Sequence, residues 1–226
     1  MNPLSASFRM YKENLLSIWL LSFTIVFPLL VMHALLTNFV YSATLVTEDS
    51  IFPDLIYGLL TLLFLVVAQV PFIQYTMSDT NGSERPLKET YMTFVEKGFS
   101  IYLFGLIYTV MVMLGIILFV VPGLILLVLL FLTPYISILN EQPSRVSWRI
   151  ALRMGKKHFF KIALLILATS VTELLVEQVS LFGMMYVSTS YPILLLTQML
   201  LNVLLFPLIV IIITNYVLEW KKKSWL

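Results

Sequence analysis

The sequence predicts an all-α, polytopic membrane protein with six transmembrane helices. Sixty per cent of its residues are hydrophobic and only 12% are charged, whereas charged residues make up about a quarter of an ordinary soluble domain. The mean hydropathy is +0.96. The apolar residues fall into runs of roughly 20 residues, the length at which a helix crosses a bilayer. The 226 residues have room for about six such spans in a single membrane domain, residues 1–226.

An uncharged apolar run, from Phe99 to Leu139, is expected to cross the membrane twice. Its 41 residues would make one straight helix of roughly 60 Å, twice the hydrocarbon thickness. Pro122 removes a backbone donor, and Gly123 readily takes the left-handed conformation that ends a helix. The sequence therefore predicts a helical hairpin with its corner at Pro122-Gly123. The alternative is a re-entrant pair that does not reach the outer surface, because the second helix is short.

The other apolar runs complete the six spans. Short amphipathic helices are expected at the membrane surface before span one, at 87–98 before span three, and before span five. A signal peptide is the alternative for the first run, but that run is longer than the usual core of about 7–15 residues. The predicted spans are residues 15–36, 55–77, 99–121, 124–139, 159–179 and 192–217.

The positions of the positive charges predict the orientation of these spans. All fourteen lysines and arginines lie at the N-terminus, in 85–97, in 145–161 or at the C-terminus. The connection at 38–54, with Glu48 and Asp49, contains none, and neither does 180–191. Because positive residues concentrate in cytoplasmic loops, both termini are expected in the cytoplasm, and the protein in the cytoplasmic (plasma) membrane.

No residue pattern indicates an enzyme, a metal or a cofactor. The absence of cysteine removes thiolate nucleophiles and cysteine-based metal sites. His33 and His158 are expected at opposite ends of the molecule, where they would not share a metal ion. Phosphate loops, zinc-protease motifs and serine-hydrolase motifs are also absent from the sequence. We therefore expect no enzymatic activity and no cofactor.

The most basic segment of the chain, residues 140–161, is predicted to contain an amphipathic helix that lies on the membrane surface. At about 100° per residue, most of its cations share one face. Such a face attracts anionic lipid head groups, with about 1 kcal/mol per charge near the surface. The alternative is that these charges set the topology and hold no specific ligand. The candidate lipid contacts are Arg145, Arg149, Arg153, Lys156 and Lys157.

A second candidate site consists of polar residues in spans five and six. Glu173 lies some 14 residues into span five, roughly 20 Å from its cytoplasmic end. A carboxylate at that depth faces the bundle interior, pairs with another group or is protonated, and it often marks an ion or proton site. Glu177 follows one turn later, and Gln198 and Asn202 are the expected polar partners on span six. If span five instead ends near Ser170, both glutamates lie in the outer interface.

Weak internal similarity indicates a repeated unit of surface helix plus hairpin. Residues 7–18, SFRMYKENLLSI, resemble residues 151–162, ALRMGKKHFFKI, and residues 87–101 follow the same plan with less identity. Duplication is one explanation. The other is that every cytoplasmic segment leading into a membrane helix selects alternating basic and apolar residues.

The hairpin and the segment after it resemble a group of bacterial integral membrane proteins. The shared pattern is a Pro-Gly-apolar hairpin, then apolar-x-Glu-x, then Ala-Leu-x-(Arg/Lys)-(Ser/Met) and a lysine-rich segment. Here it reads VPGLIL at 121–126, ILNE at 138–141 and IALRMGK at 150–156. The chain is thus similar to the membrane domain of some glycerophosphodiester phosphodiesterases. The resemblance implies a six-helix bundle. In those enzymes a catalytic domain follows the last span, whereas this sequence stops soon after it, so their activity is not expected here.

Two functions fit these observations. The first is a non-enzymatic protein of the bacterial envelope that acts through lipid or protein contacts, in envelope maintenance or as an accessory to a transporter. Its partners would be membrane lipids or another membrane protein, and no nucleic acid. The second is a small secondary transporter or permease that uses Glu173. The first predicts that Glu173→Gln is neutral, and the second predicts a water-filled path to Glu173.

Overall fold

Helices make up nearly the whole structure, a computed structural model that describes residues 2–44 and 51–224. About 90% of the chain is helical, and the described residues contain no strand. Glu48 and Asp49 of the 38–54 connection lie outside the described residues. Six helices are long and apolar enough to cross a membrane, which confirms the predicted all-α, multi-span class. They are Leu15–Thr44, Phe52–Thr80, Pro86–Leu118, Val120–Leu139, Phe159–Met185 and Tyr191–Lys222.

Several of these long helices contain interruptions, so the helical segments outnumber the spans. In chain order the segments are α1 Pro3–Glu13, α2 Leu15–Leu21, a π-helical turn Ser22–Val26, α3 Phe27–Thr44, α4 Phe52–Ala68, α5 Val70–Thr80, α6 Pro86–Leu118, α7 Val120–Leu130, α8 Thr133–Leu139, α9 Ser144–Lys157, α10 Phe159–Met185 and α11 Tyr191–Ser224.

Prolines explain the interruptions inside three of the spans. A helical proline lacks an N–H group, and its ring clashes with the carbonyl group four residues earlier. Before Pro28 the helix widens into the π turn Ser22–Val26. The second span is interrupted at Gln69, two residues before Pro71, and the fourth is interrupted in the turn before Pro134. In each case the irregular turn gives the ring the space it needs.

The hairpin between the third and fourth spans has its corner at Phe119, so the predicted corner at Pro122-Gly123 is wrong by three residues. α6 ends just before Phe119, which is extended (φ −155°, ψ 124°), and α7 begins just after it. Pro122 therefore lies in the first turn of α7, where an N–H group has no partner in the helix and its loss costs little.

Close packing of the two helices explains Gly123 better than a left-handed turn does. A Cβ atom at Gly123 would collide with the side chain and backbone of Ile116, and one at Gly115 would lie 2.8 Å from the Gly123 Cα. The two glycines thus allow the backbones of α6 and α7 to approach closely. The Tyr108 hydroxyl also donates a hydrogen bond to the Leu127 carbonyl oxygen, at 3.1 Å.

The separate surface helix predicted at 87–98 does not exist, because α6 continues without a break from Pro86 to Leu118. Gly98 is the only weak point in that stretch, and one glycine inside a helix costs only about 1 kcal/mol. At 33 residues α6 is roughly 50 Å long, well beyond the hydrocarbon thickness. Its first part, residues 86–98, therefore precedes the apolar membrane-spanning part.

Helices α1 and α9, which correspond to two of the predicted surface helices, end in the same backbone conformation. Asn14 has φ −115° and ψ 22°, and His158 has φ −118° and ψ 23°. Each donates its N–H group to the carbonyl oxygen of a methionine four residues earlier, Met10 at 3.0 Å and Met154 at 2.9 Å. These residues are equivalent in the similarity between 7–18 and 151–162. The third segment, within the unbroken α6, does not share this break.

Contacts divide the chain into two compact units. The first comprises the described parts of Met1–Phe27 and Phe160–Leu226, in which α1 packs on α11. There the Tyr11 hydroxyl donates to the Leu204 carbonyl oxygen at 2.8 Å. The second unit is Pro28–Phe159, in which α6 packs against α4, α5 and α7, and α9 packs against α7 and α8.

Candidate functional site

The exposed side of α9 is a continuous positive surface, which we call the basic face. The helix contains no aspartate or glutamate. The guanidinium carbon of Arg149 lies 5.7 Å from the centre of the Trp148 ring, a cation–π distance. All five cations predicted as lipid contacts are exposed, and they define the basic face: Arg145, Arg149, Arg153, Lys156 and Lys157.

The opposite side of α9 is a stripe of small residues packed against α7 and α8. Ser144, Ser147 and Ala151 are buried, with at most 2% of their surfaces exposed. A Cβ atom at Gly155 would lie only 2.7 Å from the Leu129 carbonyl oxygen in α7. Small residues at such spacing let helix backbones approach closely. This contact fixes the rotation of α9 and holds its cations on the outside.

The turn that leads into α9 contains an unusual residue conformation. After α8 the N–H groups of Glu141 and Gln142 donate to the carbonyl oxygens of Ile138 and Ser137, both at 3.1 Å. Glycine usually occupies the left-handed position of this helix-ending motif, as Gly82 does after α5 with φ 71°. Here Glu141 occupies it with φ 54°, a conformation that costs a residue with a Cβ atom about 1 kcal/mol. The chain keeps a carboxylate where glycine would be less strained.

A polar cavity that sequence analysis did not identify is lined from both of these turns and from the first part of α6. We call this cavity, of about 440 Å³, the acidic groove. Among the residues that the structure describes, its lining includes the carboxylates of Glu89, Glu96 and Glu141 and no lysine or arginine. The spacing of seven residues between Glu89 and Glu96 would place both on one side of a helix. Nothing in the sequence indicates that Glu141, 45 residues later, joins them.

Serine hydroxyl groups hold one of these carboxylates in place. Ser78 Oγ donates to Glu89 Oε2, and Ser83 Oγ donates to Glu89 Oε1, both at 2.6 Å. Gln74 Nε2 in turn donates to Ser78 Oγ at 3.0 Å. Glu89 lies before the apolar part of α6, and its two hydrogen bonds lower its pKa below the ordinary value. The carboxylate is therefore ionised at neutral pH.

The polar set predicted in spans five and six is brought together only in part. Gln198 Nε2 donates to Glu177 Oε1 at 2.7 Å. Glu173 and Asn202 are half-buried, each about one turn from this pair. α10 continues through both glutamates to Met185, and Ile162 is its only buried residue. Glu173 therefore lies on a sparsely packed helix and is not enclosed.

Comparison of the chain with family models, with curated proteins and with solved structures finds no match. The resemblance to the membrane domain of glycerophosphodiester phosphodiesterases stays a prediction from the motifs quoted above. The features that bear on function are therefore the basic face, the acidic groove and the residues around Glu177.

Proposed function

We propose that this chain is a non-enzymatic, multi-pass protein of the bacterial envelope whose basic face binds anionic lipid head groups. The observation that carries the proposal is the exposure of five cations on one side of a helix that is docked through its other side. Each charge close to an anionic surface contributes about 1 kcal/mol. The cations act together because one rigid helix presents them all.

The apolar residues beside the cations support contact with a membrane surface. Trp148 is 38% exposed and Val146 is 49% exposed, next to the arginines in α9. Tryptophan and aliphatic side chains beside lysine and arginine are typical of helices that lie in the lipid interface. Docking on α7 fixes the helix before any lipid binds, so less conformational entropy is lost on binding.

In the proposed topology α9 and both termini lie on the cytoplasmic side of the plasma membrane. The positive charge of the connecting segments favours that side, and the cytoplasmic leaflet carries anionic lipids. By holding these lipids the protein would support envelope maintenance or a neighbouring transporter. Its partners are then membrane lipids and another membrane protein.

The proposal is tested with a fluorophore placed on α9. Because the chain lacks cysteine, a Val146→Cys variant carries a single label beside the basic face. The protein is placed in nanodiscs of equal phosphatidylcholine and phosphatidylglycerol, and a head-group quencher is attached to one lipid or the other. We expect stronger quenching by phosphatidylglycerol, because the nearby cations enrich it around the label.

A matched control distinguishes the effect of the basic face from the effect of the protein's net charge. Neutralising three α9 cations, with Arg145→Gln, Arg149→Gln and Arg153→Gln combined, is expected to remove the preference for phosphatidylglycerol. Neutralising three exposed cations elsewhere makes the same change in net charge and is expected to keep the preference. That control combines Lys12→Gln, Arg85→Gln and Lys88→Gln. Equal quenching by both lipids in the protein without these substitutions would contradict the proposal.

The hydrogen bond between Glu177 and Gln198 favours a second candidate, a small transporter that uses Glu173. Carboxylates inside membrane helices mark ion and proton sites by default, and here two lie one turn apart. The lipid-binding proposal predicts that Glu173→Gln leaves the lipid preference unchanged, because α9 is held by α7 and α8, whereas Glu173 belongs to α10. It also predicts that a membrane-impermeant thiol reagent reaches a cysteine at position 173 from neither side. Labelling from both sides would favour the transporter.

A further inference from the structure

We propose that α1 is a second binding surface for anionic lipid head groups. It belongs to the first unit of the chain, whereas the basic face belongs to the second. The inference rests on the proposed function, because it assigns the same kind of ligand to another helix. Three observations support it: the structural equivalence of α1 and α9, cations at matching positions, and a third equivalent segment that lacks those cations.

The segments that lead into spans one, three and five have the same pattern of burial. In the alignment of residues 7–18 with 151–162, the middle segment is residues 90–101. The first position of each segment has no exposed surface: Ser7, Thr90 and Ala151. The last position, eleven residues later, is at most 1% exposed in each: Ile18, Ile101 and Ile162. The three segments therefore hold equivalent places on the spans beneath them.

Each of these segments also packs on an even-numbered span. α1 packs on α11 in span six, where Asn215 Nδ2 donates to Ser7 Oγ at 2.8 Å. The first part of α6 packs on α5 in span two, where Ser78 Oγ donates to Glu89 Oε2. α9 packs on α7 and α8 in span four. The docked side of α1 thus corresponds to the docked side of α9, and their exposed sides correspond as well.

Two cations of the basic face have counterparts on α1. Arg9 aligns with Arg153, and Lys12 aligns with Lys156. All four side chains are exposed. Apolar side chains of α1 are exposed beside them, as on α9: Leu4 and Phe8. A helix that docks through one side and presents cations and apolar groups on the other is typical of the lipid interface.

The middle segment provides an internal contrast, because it has apolar residues where α1 and α9 have cations. Met92 aligns with Arg9 and is 51% exposed, and Val95 aligns with Lys12 and is 79% exposed. The next aligned position is also exposed in all three segments: Glu13, Glu96 and Lys157. These three positions therefore present two cations and one anion on α1, one anion on α6 and three cations on α9. Anionic lipid is expected to be enriched most at α9, less at α1 and not at the middle segment.

The test compares fluorophores at three equivalent positions of the full chain. Single cysteines are introduced four residues beyond the aligned Lys12 position, where the side chains are at least 70% exposed: Leu16→Cys, Phe99→Cys and Phe160→Cys. α1 presents two cations against five on the basic face, so its lipids leave more readily on release from a bilayer. The labelled proteins are therefore measured in nanodiscs of equal phosphatidylcholine and phosphatidylglycerol, with a head-group quencher on one lipid or the other. We expect a phosphatidylglycerol preference that is largest at position 160, smaller at position 16 and absent at position 99.

Neutralising the two cations of α1 is expected to remove the preference at position 16. In Arg9→Gln combined with Lys12→Gln, each lost cation lowers the ratio of quenching by the two lipids up to about fivefold. The label at position 160 keeps its preference. The matched control, Arg85→Gln combined with Lys88→Gln, also removes two exposed cations, and it is expected to leave the label at position 16 unchanged.

A gain of function keeps the test independent of folding. Met92→Arg combined with Val95→Lys places the cations of α1 at the equivalent exposed positions of the middle segment. We expect the label at position 99 to acquire a preference for phosphatidylglycerol. Loss of folding would not produce this gain.

Two results would overturn the α1 site. One is a label at position 16 that prefers phosphatidylglycerol no more than the label at position 99 does. The other is a preference at position 16 that persists in Arg9→Gln combined with Lys12→Gln. A preference at position 160 without one at position 16 would overturn the α1 site and leave the basic face intact, whereas no preference at either position would overturn both.

Discussion

The basic face and the acidic groove belong to the same unit of the chain, yet they are built in opposite ways. The basic face is the outer side of one helix, and its cations recur every three or four residues from Arg145 to Lys156. The groove is concave, and its carboxylates come from α6 and from the turn after α8. A convex charged surface suits an extended layer of head groups, whereas a cavity suits one small ligand. Charges of opposite sign thus lie on surfaces of opposite shape within one unit.

The largest expected effect comes from disturbing the contact that presents the basic face. A methyl group at Gly155 would lie 2.7 Å from the Leu129 carbonyl oxygen and 3.0 Å from its Cα atom. These are backbone atoms, so the helix itself must move. Gly155→Ala is therefore expected to lower the free energy of unfolding by about 1–3 kcal/mol, measured by thermal unfolding in nanodiscs, and to reduce the preference of the α9 label for phosphatidylglycerol.

Gly98→Ala is the control for this prediction. Gly98 also lies inside a helix, but a Cβ atom there meets nothing within 4 Å. Alanine is the better helix former, so this variant is expected to be as stable as the original chain or more stable by up to about 1 kcal/mol. If both alanine variants changed stability equally, close packing on Leu129 would not be what holds α9.

A smaller effect is expected in the groove as the pH falls. Hydrogen bonds from Ser78 and Ser83 lower the pKa of Glu89 in the folded chain. The ionised carboxylate therefore stabilises the fold at pH values above the ordinary glutamate pKa of about 4.3. That contribution is lost as the pH falls through the lower pKa of the folded state. Thermal unfolding between pH 6 and pH 3 should accordingly depend less on pH in Glu89→Gln.

The nearby variant Glu84→Gln provides the comparison for Glu89. Glu84 is an exposed carboxylate that does not line the groove, so its removal is expected to leave the acid-induced loss of stability almost unchanged. The same pH dependence in both variants would mean that the serine hydrogen bonds to Glu89 contribute nothing measurable.

Hydrophobic runs predicted the number of spans but not where each helix begins and ends. A span is set by the apolar length that fits the bilayer, whereas a helix continues until a residue stops it. Residues 37–44 contain neither glycine nor proline, so α3 continues to Thr44 beyond the predicted end at 36. Residues 87–98 join the third span although they include Gly98, because one glycine inside a helix costs only about 1 kcal/mol. At the hairpin, Pro122 is compatible with the first turn of a helix, which moves the corner to Phe119.

The basic face and the acidic groove also differ in how far the sequence predicts them. The basic face follows from local periodicity, because residues on one helix share a side whatever surrounds them. The acidic groove forms because α5, α6 and the turn after α8 lie together, and because Glu141 adopts a left-handed conformation. No local sequence pattern predicts either feature. The contact between Glu177 and Gln198 is partly predictable from the sequence, since both are polar residues in otherwise apolar spans.

The most direct test of the central claim is to count the lipids that the purified protein retains. Native mass spectrometry of the chain released from an equal mixture of phosphatidylglycerol and phosphatidylcholine gives that count. We expect the protein to keep more phosphatidylglycerol than phosphatidylcholine. We expect the triple variant Arg145→Gln, Arg149→Gln and Arg153→Gln to lose this excess. Retention of the same excess by the triple variant would contradict the assignment of the basic face as the lipid-binding surface.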